Sequence, residues 1–316
     1  MKIKAFITHK KAERYCDCQD YFVIDTSNRA IAVSDGMSQS VFPDKWARIL
    51  TEYYTNNLRF ELSPDVLNDL QHQWKGHVDR YLEESSKSGK PTYRLRNSLK
   101  ENRGAGATLC GIQFLEGRKW VASIIGDTSL IEISPENEIV NIYSTIQDSY
   151  NNHPDFLDSM LQGRGEIKKF EGELGGKVAC LCIVSDPFAE FLFELKNNNS
   201  DYKSRVAELL AVKDHEEFCG LVDEWRIKYK MHNDDSTLVV VEDNEELNFQ
   251  VIYDDNLNSL ISKESILPSP EPTENPTSPG ENSNETPSNR ENEGRTESSL
   301  DLLEQILALI QELRRF

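Results

Sequence analysis

Short apolar runs that meet a carboxylate recur along the first 253 residues. Runs of small and β-branched residues predict buried strands. Three of these runs are followed directly by Asp35, Asp127 and Asp186, and Asp234 lies just before a fourth. Gly36, which comes after Asp35, permits a sharp backbone turn. If these strand ends meet at one edge of packed sheets, their oxygens form a cluster of the hard ligands that divalent cations prefer.

The remaining hydrophobic pattern predicts blocks of strands and pairs of helices. Residues 43–53 and 63–74 carry apolar side chains at helical spacing, after prolines that suit a first helical turn. Residues 83–103 are polar and basic and predict a loop, whereas residues 147–165 are helix-like without a strong period. Further strands are predicted at 2–8, 21–25, 104–114, 118–126, 130–133, 139–143, 178–185, 237–242 and 247–253, and further helices at 188–195, 200–210 and 214–229. The simplest packing is an α+β domain with two β-layers inside and helices outside.

The end of the chain has a different composition. We divide the chain into a folded domain of residues 1–256, a disordered linker of residues 257–297 and an amphipathic C-terminal helix of residues 298–316. The linker, rich in Pro, Glu, Asn and Ser, cannot bury enough apolar area to fold. The apolar stripe of the helix predicts docking on a protein partner or self-association, with folding back onto its own domain as the alternative. Its polar face has too few lysines to favour a membrane surface.

Composition and charge narrow the class of protein. The chain has 316 residues, of which 38% are hydrophobic, enough for a sizeable core. Its net charge of −19 opposes attraction to nucleic acid or to an anionic membrane. We find no charged-then-apolar leader and no apolar run long enough to span a bilayer, so a cytoplasmic location is expected. The 6 cysteines are expected to be reduced thiols, with zinc binding by the two Cys-x-Cys pairs as a weaker alternative.

Six short motifs follow one another in the order of a known family. They are Asp20 in Cys-Gln-Asp, residues 33–37 (Val-Ser-Asp-Gly-Met), 104–108 (Gly-Ala-Gly-Ala-Thr), 125–129 (Ile-Gly-Asp-Thr-Ser), 184–186 (Val-Ser-Asp) and 233–237 (Asn-Asp-Asp-Ser-Thr). Each motif alone is weak, because Asp-Gly turns are common. Together they resemble the metal-dependent protein phosphatases, the protein phosphatase 2C or PPM family, in its bacterial type. The resemblance spans residues 1–253.

The resemblance implies a four-layer αββα sandwich of two antiparallel sheets flanked by helix pairs. It further implies a centre of two Mg²⁺ or Mn²⁺ ions, with a third, looser ion, that hydrolyses phosphoserine and phosphothreonine in a phosphoprotein by direct attack of a metal-bridging hydroxide. Carried over to this chain, Asp35 would bridge both ions and take part in catalysis, and the carbonyl of Gly36 would complete one ion's shell. Asp186 and Asp234 would hold the second ion. Asp20 would act through bound water, and Asp127 would help hold the third ion and take part in catalysis.

Arg14 is the candidate phosphate clamp, because a guanidinium matches two phosphate oxygens at once. It stands one residue further from Asp20 than the family's arginine usually does, so an ordinary surface position is the alternative. His153 lies where the family's substrate-side flap would be and is a candidate acid, although an exposed loop histidine is the commoner explanation.

Two other functions compete with a protein phosphatase. One is an inactive phosphatase-like scaffold that binds phosphoprotein and works through the helix at 298–316. The full set of aspartates disfavours it, since a scaffold has no chemical need for them. The other is a metal phosphohydrolase acting on small phosphoesters, which would share the site but would need no tethered docking helix.

Overall fold

The computed structural model describes residues 1–57, 61–146, 154–198, 200–244 and 248–266. The chain divides into two units, Met1–Pro268 and Ser269–Phe316, and the described residues all belong to the first. The predicted C-terminal helix at 298–316 and the linker from 267 onward lie outside the described residues. Within the described ranges, none of the helices is both long enough and apolar enough to cross a membrane.

The first unit is built from thirteen described strands and seven described helices. The strands are β1 (Lys2–Thr8), β2 (Tyr21–Asp25), β3 (Ala30–Ser34), β4 (Gly106–Ala107), β5 (Leu109–Phe114), β6 (Lys119–Ile125), β7 (Ser129–Ile133), β8 (Ile139–Tyr143), β9 (Leu157–Asp158), β10 (Lys168–Glu173), β11 (Cys180–Val184), β12 (Ser236–Glu242) and β13 (Gln250–Asp254). The helices are α1 (Pro43–Asn56), α2 (Pro64–Ser88), α3 (Tyr93–Lys100), α4 (Asp186–Asn197), α5 (Tyr202–Ala211), α6 (His215–Lys228) and α7 (Leu257–Ile266). A 3₁₀ turn, Tyr15–Asp17, lies between β1 and β2.

Two sheets form the centre of the fold. One has six strands in the order β13-β1-β12-β11-β7-β8, and the other has five in the order β10-β6-β5-β3-β2. All of their strand pairs are antiparallel except β1 with β13, which is parallel. The first sheet is assembled from both ends of the unit, because β1 pairs with β12 over its whole length.

Side-chain alternation along the strands explains the layers. On β12, Val239 and Val241 join a buried cluster between the two sheets, whereas Leu238 and Val240 face a second cluster formed with α4, α5 and α6. A third cluster packs α1 and α2 against the five-stranded sheet, with Trp46 fully buried in it. These contacts give the order helix, sheet, sheet, helix. The predicted αββα sandwich is therefore confirmed.

Residues 83–103 and 154–173 differ from the predicted secondary structure, and the second of these segments includes strand β10, which was not predicted. Residues 83–103 were expected to be a loop, but α2 continues to Ser88 and α3 follows. The second half of α2 is mostly exposed and polar, so it has no apolar period, and it ends at Gly89 in the left-handed conformation that favours a helix C-terminus. Residues 154–165, expected to be helix-like, instead contain the short strand β9.

Helix α7 lies where the sequence predicted the start of the disordered linker. Its Leu257 and Leu260 are buried in a small cluster with Ile7 of β1 and Cys18. The three-residue spacing of these leucines puts them on one helical face. Residues 257–266 are thus part of the folded unit rather than of the linker.

Candidate metal centre

Five aspartates come together where strands of both sheets end. They are Asp20 before β2, Asp35 after β3, Asp127 between β6 and β7, Asp186 at the start of α4, and Asp234 before β12. Burial raises the pKa of Asp35 well above its ordinary value, and the charges of the other four carboxylates raise it further. Like charges act on one another in this way only over short distances. The structure therefore brings together the acids that the sequence singled out.

Close backbone packing fixes the turn after β3. The Asp35 amide donates to Thr108 Oγ1 at 3.1 Å, and its carbonyl accepts from the Thr108 amide at 2.9 Å. The Gly36 amide donates to the Gln19 carbonyl at 3.2 Å. A Cβ at position 36 would lie 2.8 Å from Pro43 Cβ and 2.9 Å from the Gln19 oxygen, so only glycine fits without a shift.

Three carboxylate oxygens of the cluster are buried with no hydrogen-bond partner among the described residues: Asp20 Oδ1, Asp127 Oδ1 and Asp186 Oδ1. The other oxygen of Asp20 accepts from Thr237 Oγ1 at 2.7 Å. A buried carboxylate oxygen without a partner costs free energy. Bound cations would supply the missing partners, so the residues present fit a divalent metal centre.

The burial of these acids disfavours their charged forms. Burial and the charge of Asp235 raise the pKa of Asp20 to about 8. Burial raises the pKa of Asp127 to about 6, with the charge of Asp234 adding to the effect. Burial raises the pKa of Asp186 well above its ordinary value, and the negative charge of Asp127 raises it further. Without cations, the cluster would hold protons instead of its full negative charge.

His232 is a candidate ligand that the sequence did not single out. Asp186, His232 and Asp234 each offer a ligand atom, and these atoms lie within 4.8 Å of one another. The two carboxylates are partly buried and His232 is exposed. The signal in the sequence was its position two residues before Asp234, which carries little weight without the fold.

Asp235 and Lys10 are two further residues at the cluster that sequence reasoning missed. Asp235 is buried and accepts from the backbone amides of Lys10 at 2.9 Å and Gln19 at 2.7 Å, so it fixes the segment that leads to Asp20. Lys10 Nζ lies 2.9 Å from Asp234 Oδ1. Burial alone would lower the pKa of Lys10, but the hydrogen bond and charge of Asp234 raise it on balance. Lys10 therefore brings a positive charge to the edge of the acids.

Arg14 is not brought to the aspartates in this structure. Its side chain is 67% exposed and its Nε lies 3.3 Å from Asp17 Oδ2. Its pKa is raised by Cys16, Asp17 and Glu264, none of which belongs to the cluster. The predicted clamp role of Arg14 stays a prediction, and His153 lies outside the described residues.

Residues 10–225 match the family model of protein phosphatase 2C. The match covers more than half of the chain, so the chain belongs to the protein phosphatase 2C family. The resemblance predicted from the motifs is confirmed, and with it the class of enzyme, a metal-dependent protein-serine/threonine phosphatase. Among curated proteins, none matches this sequence.

The solved structures that this chain matches include two serine/threonine phosphatases and RsbX. The serine/threonine phosphatase Stp1 from Staphylococcus aureus is 13% identical, with 77% of this chain and 94% of that chain covered and a TM-score of 0.47. The serine/threonine phosphatase of S. agalactiae is 13% identical, with 77% and 99% covered and a TM-score of 0.46. RsbX in complex with magnesium is 14% identical, with 75% and 92% covered and a TM-score of 0.40.

Proposed function

We propose that this phosphatase hydrolyses phosphoserine and phosphothreonine in a phosphoprotein at the aspartate cluster, using bound Mg²⁺ or Mn²⁺. The observation that carries the proposal is the set of three buried, unpartnered oxygens on Asp20, Asp127 and Asp186. Such oxygens destabilise the folded state unless a cation binds them. Oxygen ligands of this kind suit both ions, and the proposal extends to two cations with a third, looser one.

The residues that would hold the cations are those that the family resemblance implies. Asp35 would serve both of the first two cations, and the carbonyl of Gly36 would complete the shell of one of them. Asp186 and Asp234 would hold the second, with Asp20 contributing through water and Asp127 at the third. When bound, the cations would activate a water for direct attack on phosphorus and offset charge on the phosphoryl oxygens. No covalent intermediate on the protein is part of this proposal.

Binding of the phosphoryl group needs a positive side chain beside the cluster. Lys10 supplies such a side chain, since its Nζ lies 2.9 Å from Asp234 Oδ1. A lysine offers a point charge to phosphate, whereas the predicted clamp Arg14 would offer a planar fork. For Arg14 to act, its guanidinium would have to leave Asp17 and turn towards the acids. We propose that the Lys10 ammonium group is the positive side chain beside the cluster before substrate binds. Arg14 remains the proposed phosphate clamp, which would turn towards the cluster when substrate binds.

The buried acids also weigh against an inactive scaffold. Burial raises the pKa values of Asp20, Asp35, Asp127 and Asp186, so this part of the fold sacrifices stability when no cation is bound. A binding module has no need of that cost. Recruitment of a protein partner, or self-association, through residues 298–316 and a cytoplasmic location remain part of the proposal.

The test is phosphate release from a phosphothreonine peptide by the full chain with Mn²⁺. We expect turnover that chelator abolishes and that Asp35→Asn lowers at least about a hundredfold, because loss of a carboxylate that would hold the cations should cost several kcal/mol of transition-state stabilisation. Asp69→Asn, which changes an exposed carboxylate on α2, serves as the matched control and should keep full activity.

Three results would contradict the proposal. Turnover that continues in excess chelator would exclude a metal mechanism. Turnover of p-nitrophenyl phosphate without turnover of any phosphopeptide would instead favour an enzyme of small phosphoesters. Metal binding with no turnover of either substrate would favour the scaffold.

A further inference from the structure

A cysteine, a histidine and an aspartate lie in line on a different set of elements from the aspartate cluster. Asp255, which precedes α7, is buried, and its Oδ2 accepts from His215 Nδ1 at 2.7 Å. The other ring nitrogen of His215, Nε2, lies 3.3 Å from Cys219 Sγ. His215 and Cys219 are four residues apart on α6, which puts them on one face of the helix. The three groups thus form a relay from carboxylate to imidazole to thiol.

We propose that Cys219 is a reactive thiolate site, activated by His215 and oriented by Asp255, that is oxidised by a peroxide. The geometry sets the role of each group. Because Asp255 accepts a hydrogen bond from the Nδ1–H group of His215, Nε2 is the nitrogen that faces the thiol. Nε2 takes the proton of the Cys219 thiol. The product is a thiolate beside an imidazolium whose other nitrogen is held by a buried carboxylate.

The charges around the thiol agree with this arrangement. Burial alone would raise the pKa of Cys219, but hydrogen bonds with His215 and Thr8 and the charge of His215 lower it on balance. Hydrogen bonds with Asp255 and Cys219 raise the pKa of His215 to about 10. His215 is therefore charged at neutral pH, and its positive charge favours the thiolate form of Cys219.

Other groups that face the pair leave this balance in place. The hydroxyl of Tyr15 lies 2.7 Å from His215 Nε2 and 3.8 Å from Cys219 Sγ, and it can donate to the thiolate. Arg226, further along α6, interacts electrostatically with Cys219 and adds positive charge to its surroundings. A donor and a second cation both favour the charged sulfur.

The reaction with a peroxide balances with the groups present. The Cys219 thiolate attacks one peroxide oxygen, an S–O bond forms and the O–O bond breaks. The departing oxygen takes a proton from His215 and leaves as water when the oxidant is hydrogen peroxide. The sulfur is oxidised to a sulfenic acid and the peroxide is reduced. Because Cys219 is only partly exposed, a small oxidant suits it better than a bulky disulfide.

The site bears on the phosphatase through Tyr15. This residue belongs to the 3₁₀ turn at 15–17, and its amide donates to Glu264 of α7 at 3.0 Å. The same segment leads to Asp20 of the acid cluster. An oxygen added to Cys219 enters the place where Tyr15 and His215 meet, so oxidation acts on the segment that carries one of the proposed metal-binding acids.

Cys16 provides an internal control for the test. It is exposed, but partial burial and the charge of Asp17 raise its pKa, and within the described part of the chain no histidine is hydrogen-bonded to it. Accessibility alone would make Cys16 the faster thiol, whereas the proposal makes Cys219 faster. The experiment treats the full chain with hydrogen peroxide at pH 7, traps sulfenic acid with dimedone and quantifies both cysteines by peptide mass spectrometry over time.

We expect Cys219 to be trapped on the order of tenfold faster than Cys16, since the gain in thiolate outweighs the loss in intrinsic nucleophilicity. Asp255→Asn should slow Cys219 and leave Cys16 unchanged, while Asp254→Asn, which leaves the Asp255–His215 hydrogen bond in place, should change neither. Equal or faster trapping at Cys16 in the unmodified sequence would overturn the proposal, whether or not the variants fold. So would an unchanged Cys219 rate in a folded Asp255→Asn protein.

Discussion

Neutralising Asp20 should stabilise the metal-free protein, and increasingly so as the pH rises. Asp20 is 1% exposed, and burial together with Asp235 raises its pKa from an ordinary 3.8 to about 8. A raised carboxyl pKa means that the folded chain holds a proton that the unfolded chain releases. Stability from this group is therefore complete below about pH 4 and is lost progressively up to about pH 8.

The size of the pH effect on the free energy of unfolding follows from the single proton that Asp20 holds in the folded chain. Because one proton is involved, the step from pH 5 to pH 7 costs the folded state on the order of 3 kcal/mol. In Asp20→Asn this cost disappears. The amide oxygen of the asparagine can still accept from Thr237, which now donates to Asp20 Oδ2 at 2.7 Å, so the packing is retained.

The assay is urea denaturation of both proteins in chelator at pH 5, 6 and 7. The free energy of unfolding of Asp20→Asn, relative to the unmodified sequence, should rise by about 1.4 kcal/mol per pH unit. Asp17→Asn, an exposed carboxylate three residues earlier, should show no such trend. A constant difference between Asp20→Asn and the unmodified chain over this range would show that the pKa of Asp20 is not raised in the folded protein. Added Mn²⁺ should narrow the difference, because it stabilises most the chain that binds it most tightly.

Two further substitutions test the packing and the ligands of the cluster. Gly36→Ala should lower the free energy of unfolding by about 1–3 kcal/mol and weaken Mn²⁺ binding, because its Cβ would meet Pro43 Cβ at 2.8 Å. The control Gly76→Ala on α2, where a Cβ meets nothing within 4 Å, should instead raise the melting temperature. Equal melting temperatures of the two variants would contradict both expectations. His232→Asn should weaken binding of Co²⁺ more than that of Mg²⁺ in titration calorimetry, because an imidazole ligand favours later transition metals; equal losses would exclude His232 as a ligand.

The strand-end aspartates were predictable because their signal is local. A β-branched run that stops at Asp35-Gly36 predicts both the strand and the residue where it ends. The alternation of side chains along a strand then predicts which layer each one faces, as Val239 and Leu238 on opposite faces of β12 illustrate. The polar half of α2 and helix α3 were missed for the opposite reason, since an exposed helix has no apolar period to detect. Helix α7 was missed because its apolar face is only a few residues long.

The rest of the site depends on contacts between distant parts of the chain. Lys10 and Asp235 are joined by a hydrogen bond although they are 225 residues apart. Asp255 reaches His215 across 40 residues. Neither pair has a spacing that a sequence pattern could reveal. Their roles follow only from the way β1, β12 and α7 pack in the folded unit.

The central claim, a divalent metal centre built from the strand-end aspartates, is tested most directly by anomalous diffraction from crystals grown with Mn²⁺. We expect strong anomalous peaks between Asp35, Asp186 and Asp234, close to Asp20, and their loss in crystals of Asp35→Asn. Anomalous peaks only at surface carboxylates, with the cluster empty at saturating Mn²⁺, would contradict it.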